Sequence, residues 1–451
     1  MNQRTRTVTG AANTANASSI GDTGGTAPGV LERTLRRQLL AQMHRMRGGR
    51  LVLVDALGEA VLGEAGEGGL QVRILVRDMR FYRAIAANGS VGAGEAYIQG
   101  WWQCEDGTGI PGDGLVALVR LLVRNRDLLD GMESGLAKIG GWAMRGWHRL
   151  RRNTRDGSRQ NIAAHYDLGN ELFSLFLSPD LMYSSAIWAG DAGTGQGDTL
   201  EAASTRKLER ICQKLDLKPG DRVVEIGTGW GGFALHAARH HGCHVTTTTI
   251  SREQHALAAA RVAGAGLQDR VTLLLEDYRD LTGRFDKLVS IEMIEAIGAE
   301  YLDTYFGKLG ELLEPDGLAL VQAITIEDHR YRQALRSVDF IKRYVFPGSF
   351  IPSVHAMLAA KTRASDMALT HLEDFGGSYA LTLRAWRQRF MSRLPEVRAQ
   401  GFDEHFIRLW QFYLAYCEGG FRERSIGVAH LLLAKPGNRR PSLLPPLAVR
   451  A

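Results

Sequence analysis

A carboxylate inside an apolar strand, two positions before a cluster of glycines, is the feature of this chain most suited to chemistry. Val223, Val224, Glu225 and Ile226 run into Gly227-Thr228-Gly229-Trp230-Gly231-Gly232. Glycines there let a ligand approach the main chain without side-chain obstruction, and the next helix would offer its first N–H groups. The spacing is not the G-x-G-x-x-G of a dinucleotide site. Such a site also carries an acid near the end of the second strand, about 20 residues on, to hold a ribose. Here that strand ends "TTTTIS" (246–251), without one. A second kind of chemistry is suggested by residues 142–160, where six arginines (145, 149, 151, 152, 155, 159) interleave with Trp142, Trp147 and His148. That stretch reads either as a solvated linker or as a surface for phosphates, of nucleic acid or of lipid head groups.

These groups need a scaffold. A chain of 451 residues is too long for one core, and two domains are expected. With 45% hydrophobic and 23% charged residues it is of ordinary globular composition, and no apolar run approaches the roughly 18 to 20 residues of a membrane span. Residues 1–29 lack the apolar core of a secretory signal and are expected to form a disordered tail. Cys104, Cys212, Cys243 and Cys417 are far apart with no C-x-x-C pair, so neither a disulfide framework nor a metal site is expected, and a reducing cytoplasm fits.

Along residues 30–140, Leu31, Leu35, Leu39 and Met43 recur every four positions among Arg33, Arg36, Arg37, Arg45, Arg47 and Arg50, which predicts an amphipathic helix with one basic side. Two strand-like runs and the helical "GLVALVRLLVRNRDLL" follow, a small α+β domain. From about Lys207 strands and helices alternate through "RVVEIG", "HVTTTTI", "VTLLLED", "KLVSIEM" and "GLALVQAITI". Repeating βα units predict a parallel doubly wound sheet, with ligands at the carboxyl ends of its strands.

The glycine turn resembles motif I of class I methyltransferases, whose ligand, S-adenosylmethionine, has no pyrophosphate. Four longer segments, "GAGEAYIQGWWQC" (92–104), "HYDLGNELFSLFLSPDLMYSSAIW" (165–188), "DFIKRYVFPGSFIPSV" (339–354) and "FYLAYCEGGFRERSIG" (412–427), resemble the cyclopropane-fatty-acyl-phospholipid synthase family. The likeness runs from about residue 60 to 436. It implies a Rossmann-like class I methyltransferase domain over 161–436 and an N-terminal lipid-engaging domain over 30–140. Residues 141–160 would be a basic linker and 437–451 a tail. It also implies that a methylene group from S-adenosylmethionine is added to the cis double bond of unsaturated membrane phospholipids to form a cyclopropane ring. The enzyme would be cytoplasmic, peripheral on the inner membrane face, and would not act on nucleic acid; a homodimer is compatible with the family. The alternative is a fatty-acyl methyltransferase that adds a methyl or methylene branch without closing a ring.

The resemblance also distributes roles. Tyr183, Ser184, Glu225, Gly227, Gly229, Thr249, Ser251, Gln254, Asp277 and Tyr278 match the cofactor pocket, and Ser251 or Gln254 would equally serve a helix N-cap. After methyl transfer to an alkene a carbocation remains, so a base must take a proton from the new methyl group while water is excluded. In the family that base is a bicarbonate ion, whose holders match Glu295, Tyr379, Ile324, Ser185 and Gln322. The common bacterial pattern has Cys at 185 and His at 322; the plant-type branch is closer here. Cys417 matches a cysteine of the family pattern, although an unactivated thiol has a pKa of about 8.5 and reads equally as a small buried hydrophobe.

Overall fold

A computed structural model describes residues 29–64, 66, 68–130, 168–189, 197–441 and 443. The tail before residue 29 and the arginine-rich stretch 142–160 lie outside the described residues.

The predicted amphipathic helix is present at Val30–Met43, with Leu39 and Met43 turned into the core. It precedes strands β1 (Gly49–Asp55), β2 (Gly58–Leu62), β3 (Leu70–Val76) and β4 (Trp102–Cys104), which form a sheet in the order β2-β1-β3-β4. The alternating burial of β1 and β3 marks sheet faces with one side inward. The helical run called from "GLVALVRLLVRNRDLL" forms Asp113–Arg124, with Leu115, Leu118 and Leu121 buried.

The second sheet has seven strands: β5 (Arg222–Ile226), β6 (His244–Thr248), β7 (Val271–Leu274), β8 (Phe285–Ile291), β9 (Leu313–Ile326), β10 (Ala368–Asp374) and β11 (Ile426–Ala434). Their order is β10-β11-β9-β8-β5-β6-β7. From β7 through β9 all pairs are parallel, as the βα periodicity predicts. The order reverses at β5, so the switch point lies at the end of the strand that carries Glu225. The sheet is not wholly parallel, however: β11 runs antiparallel between β9 and β10. No βα repeat announces this pair, because the chain reaches it through long helical segments.

One apolar core joins Leu53, Ile74 and Trp102 of the first sheet to Trp386, Trp410 and Phe412 of the C-terminal helices Gly376–Ser392 and Glu404–Arg422. A buried cation ties the same parts: the Arg387 guanidinium donates to Asp113 at 2.6 Å and to Glu418 at 2.9 Å. Breaking such a pair from one side leaves an uncompensated buried charge, which costs about 3–5 kcal/mol. Among the described residues no helix is long and apolar enough to cross a membrane.

Candidate active site

The glycine turn meets its sequence-based requirements at backbone level. Gly227, Gly229 and Gly231 have φ of 99°, 51° and 85°, a region that side chains disfavour. A Cβ on Gly227 would come within 3.2 Å of Met293. The N–H groups of Gly227 and Thr228 are fixed on the Thr248 carbonyl at 3.1 and 3.0 Å, which locks the turn to the end of β6.

Around this turn lies a cavity lined by Tyr183, Ser184, Glu225, Gly227, Gly229, Thr249, Gln254, Asp277 and Tyr278. Nine of the ten predicted cofactor residues therefore converge. Ser251 is the exception: its Oγ accepts from the Gln254 N–H at 3.3 Å, the N-cap role. Gln254 accepts from the Thr249 hydroxyl at 2.9 Å. Asp277 receives the Arg279 guanidinium at 2.6 Å. Glu225 accepts from Thr247 Oγ1 at 2.7 Å, and burial pushes its carboxyl up to about 8. Lys207 is fully buried, donates to Ser184 Oγ at 2.9 Å, and is brought down to about 8 by burial, against the opposing pull of Asp180, Glu292 and Glu225.

A second, larger cavity of about 430 Å³ adjoins the first. Tyr183, Glu292 and Ala296 line both. Its wall is mostly apolar, with Ile324, Phe346, Phe350, Leu383 and Phe421, while Arg126, Arg330, Asp339 and Lys342 also line it, and Val119 and Val123 reach it from the N-terminal part of the chain. A largely apolar cavity that adjoins the first at Tyr183, Glu292 and Ala296 suits a hydrocarbon chain.

Sequence reasoning did not single out Glu292, which lines both cavities. Oε1 accepts from the Ser185 main-chain N–H at 2.8 Å and from Gln322 Nε2 at 2.7 Å, and Oε2 accepts from the Tyr379 hydroxyl at 2.7 Å. Glu292 has φ of 49°, a left-handed conformation that costs a non-glycine residue on the order of 1–3 kcal/mol. The strain turns its side chain back from the end of β8 onto these donors.

Glu295, one short turn later, accepts the Ile324 N–H at 2.6 Å, and its second oxygen is buried without a protein partner. Burial first, and then the neighbouring Glu292, push it up to about 8. Burial also raises Glu292, but three hydrogen bonds and Lys207 oppose that. The two carboxyls act on each other electrostatically, and Glu292, with the donors of Ser185, Gln322 and Tyr379 aimed at it, is the better placed of the two to carry a negative charge.

This arrangement bears on the predicted anion site. Of the five expected holders, Ser185, Gln322 and Tyr379 already donate to Glu292, and the Ile324 N–H to Glu295. In this structure those donors are engaged by the two glutamate side chains, so a bicarbonate ion there would require one of them to yield its donors. Ser185 takes part through its main chain; its hydroxyl donates to the Ala186 carbonyl at 2.9 Å. Cys417 lines the larger cavity, but burial pushes its thiol far up, so it has no thiolate to offer.

Comparison with known proteins agrees with this geometry. Residues 153–431 match the family model described as mycolic acid cyclopropane synthetase. The chain belongs to that family. It is 37% identical over 358 residues to the tuberculostearic acid methyltransferase of Mycobacterium tuberculosis, covering 79% of this chain and 81% of that one. It is 35% identical over 376 residues to the cyclopropane-fatty-acyl-phospholipid synthase of Escherichia coli, covering 83% and 90%. A cyclopropane synthase structure from M. tuberculosis superposes with a TM-score of 0.57 at 26% identity, over 61% of this chain and 98% of that one. A mycolic acid cyclopropane synthase complexed with SAH and CTAB gives 0.56 at 27% identity, over 61% and 98%. This family member is an S-adenosylmethionine-dependent methyltransferase. Its glycine turn, Glu225, Thr249 and Gln254 provide a cradle of the right chemistry for that cofactor, shaped by glycines where a Cβ would intrude.

Proposed function

We propose that this enzyme adds a methylene group to the cis double bond of unsaturated phospholipid acyl chains and closes a cyclopropane ring, with Glu292 as the internal base. The observation that carries this reading is the seat of Glu292, a carboxyl with three hydrogen-bond donors on the wall common to both cavities. S-adenosylmethionine, when bound, supplies an electrophilic methyl group and leaves as S-adenosylhomocysteine. The alkene's π electrons form the new carbon–carbon bond as the sulfur–methyl bond breaks, leaving a carbocation on the chain. A C–H bond of the new methyl group then gives its proton to the Glu292 carboxylate and its electron pair to the cationic carbon, and the ring closes. Ile324, Phe346, Leu383 and Phe421 keep water from the cation. Neutral Glu295 and the Tyr379 phenol, both held protonated by burial, border the same space.

The second reading, branch formation without ring closure, draws support from the comparable identity to a tuberculostearic acid methyltransferase and from Ser185 and Gln322. A hydride shift along the chain before proton loss would let the same Glu292 yield a methylene branch on the open chain. The test is to express the protein in cells rich in monounsaturated phospholipid and isolate their fatty acid methyl esters. Both readings add one CH2 to the mass; proton NMR separates ring protons from vinylidene protons, and ring protons are expected. An unchanged lipid profile from folded, cofactor-binding protein sinks both.

A position on the cytoplasmic membrane face is supported by Val30, Leu31, Leu57 and Val61, all exposed although apolar. Arg36 joins that helix to the hairpin through Asp55 at 2.6 Å and the Gly58 carbonyl at 3.2 Å. Arg33 and Arg37 are exposed beside them, a mixed apolar and basic surface suited to an anionic bilayer. The lipid-engaging role of the N-terminal domain is supported further by Val119 and Val123 in the acyl cavity.

A further inference from the structure

The donor that Gln322 gives to Glu292 depends on which way its amide points, and the neighbouring strands decide that. Gln322 faces His430 in the antiparallel register of β9 and β11, and His430 faces Glu373 in that of β11 and β10. Residues opposite each other in paired strands project to the same side, so the three side chains form one row across the sheet. Gln322 Oε1 lies 3.0 Å from His430 Nε2, and His430 Nδ1 lies 3.1 Å from Lys214 Nζ. Lys214, on the helix Leu200–Leu215, also donates to Glu373 at 2.6 Å. Gln322 and His430 are wholly buried.

The row fixes each proton. An ammonium ion paired with a carboxylate only donates, so Nδ1 of His430 accepts and the ring's single proton sits on Nε2. Nε2–H must then donate, and the amide atom that meets it must be the oxygen. The NH2 of Gln322 is thereby turned to the other side, 2.7 Å from Glu292 Oε1 and 3.3 Å from the Ser185 carbonyl. Turned over, the amide would set oxygen against a carboxylate and NH2 against an N–H. We propose that His430, itself oriented by Lys214, is a positioning residue that holds the Gln322 amide with its donor toward Glu292, and so keeps Glu292 charged. This rests on Glu292 being the base. The ring stays neutral for the purpose: burial, with Lys214, Lys207, Arg210 and His371 around it, holds it well below the ordinary imidazole range, and the Glu373 carboxylate, 4.0 Å from Nδ1, opposes them.

The test compares rate against pH on unsaturated phospholipid vesicles for wild type, His430→Leu and His430→Gln, with cofactor affinity measured by calorimetry. His430→Leu should lower kcat at least about 10-fold, less than the roughly 10²- to 10⁴-fold expected for removing a base. KM and cofactor affinity should stay within about twofold, because the loss falls on the transition state. The acid limb of its rate profile should move to higher pH, since Glu292 ionises less readily with a donor lost. His430→Gln, whose amide both donates to Gln322 and accepts from Lys214, should restore most of the rate. In a Gln322→Leu background, His430→Leu should add nothing. A wild-type kcat and acid limb in His430→Leu, or an equal extra loss in the Gln322→Leu background, overturns the inference. Should His430→Leu fail to fold, Lys214→Met decides, because it frees the ring to take either tautomer; an unmoved acid limb there overturns it too. The readings separate cleanly: an active Glu292→Gln enzyme sinks the base assignment and this inference with it, whereas an inactive one beside an unaffected His430→Leu sinks this inference alone.

Discussion

Replacing Glu292 with glutamine probes the base with little disturbance to its surroundings. The amide oxygen can accept from Ser185 N–H and Gln322 Nε2, now at 2.8 and 2.7 Å from Oε1, while the new NH2 donates to the Tyr379 hydroxyl oxygen, now 2.7 Å from Oε2. Only the Tyr379 O–H proton, which Glu292 accepts in the wild type, must turn to another acceptor, at a cost of about 1–3 kcal/mol, so the fold should hold. The proton acceptor is lost, and general-base contributions of about 10²- to 10⁴-fold correspond to about 2.7–5.4 kcal/mol of transition-state stabilisation. The neighbouring carboxyl tempers this. Glu292 is one of the two causes that raise Glu295 to about 8, after burial, so its removal lowers Glu295 and gives the cavity a poorer substitute base. The expected loss for Glu292→Gln is therefore in the lower half of that range, and Glu292→Gln with Glu295→Gln should lose more than either alone. Initial rates of methyl incorporation into unsaturated phospholipid vesicles measure it, with cofactor affinity by calorimetry as the control, expected to change less than about threefold. Turnover of Glu292→Gln within about threefold of wild type refutes the reasoning.

Cys417→Ala should retain kcat within about threefold, because burial, with the Asp339 carboxylate adding to it, holds the thiol well above its ordinary range; a loss above about 100-fold in folded protein would restore a catalytic role. Glu225 holds its proton more tightly folded than unfolded, with its carboxyl raised to about 8 against an ordinary value near 4.3. Its destabilising charge is absent below about pH 4.3 and develops as pH rises toward 8, so the melting temperature of ligand-free Glu225→Gln minus that of wild type should grow between pH 5 and 8; a constant difference in thermal scans contradicts this. Leu57→Glu with Val61→Glu should reduce sedimentation with anionic vesicles at unchanged thermal stability, and wild-type binding should weaken between 0.1 and 1 M salt, as the Debye length falls from about 10 to 3 Å. Undiminished sedimentation of the variant removes this face from the membrane reading.

The sequence by itself determined the parts whose physics is local. The glycine turn after β5 was legible because positive φ at Gly227 and Gly229 is a demand on single residues, and the missing acid after "TTTTI" excluded a dinucleotide without any structure. Parallel β5 to β9 followed from βα periodicity, and nine of the ten motif-matched residues line one cavity because they occupy short, contiguous loops. Tertiary structure decided which of two acids meets the donors of Ser185, Gln322 and Tyr379. "SIEMIEAIG" holds Glu292 and Glu295 three apart, and nothing in that string separates a carboxyl that meets those donors from one that does not. The difference arises from one left-handed torsion at Glu292 and from donors 30 to 107 residues away in the chain. His430 was equally silent, since its part depends on the register of β9 against β11, an antiparallel pairing that long helical segments separate in sequence. Strand register and backbone torsion are fixed by the packing of the whole core, so the chemistry that depends on them is written only in three dimensions.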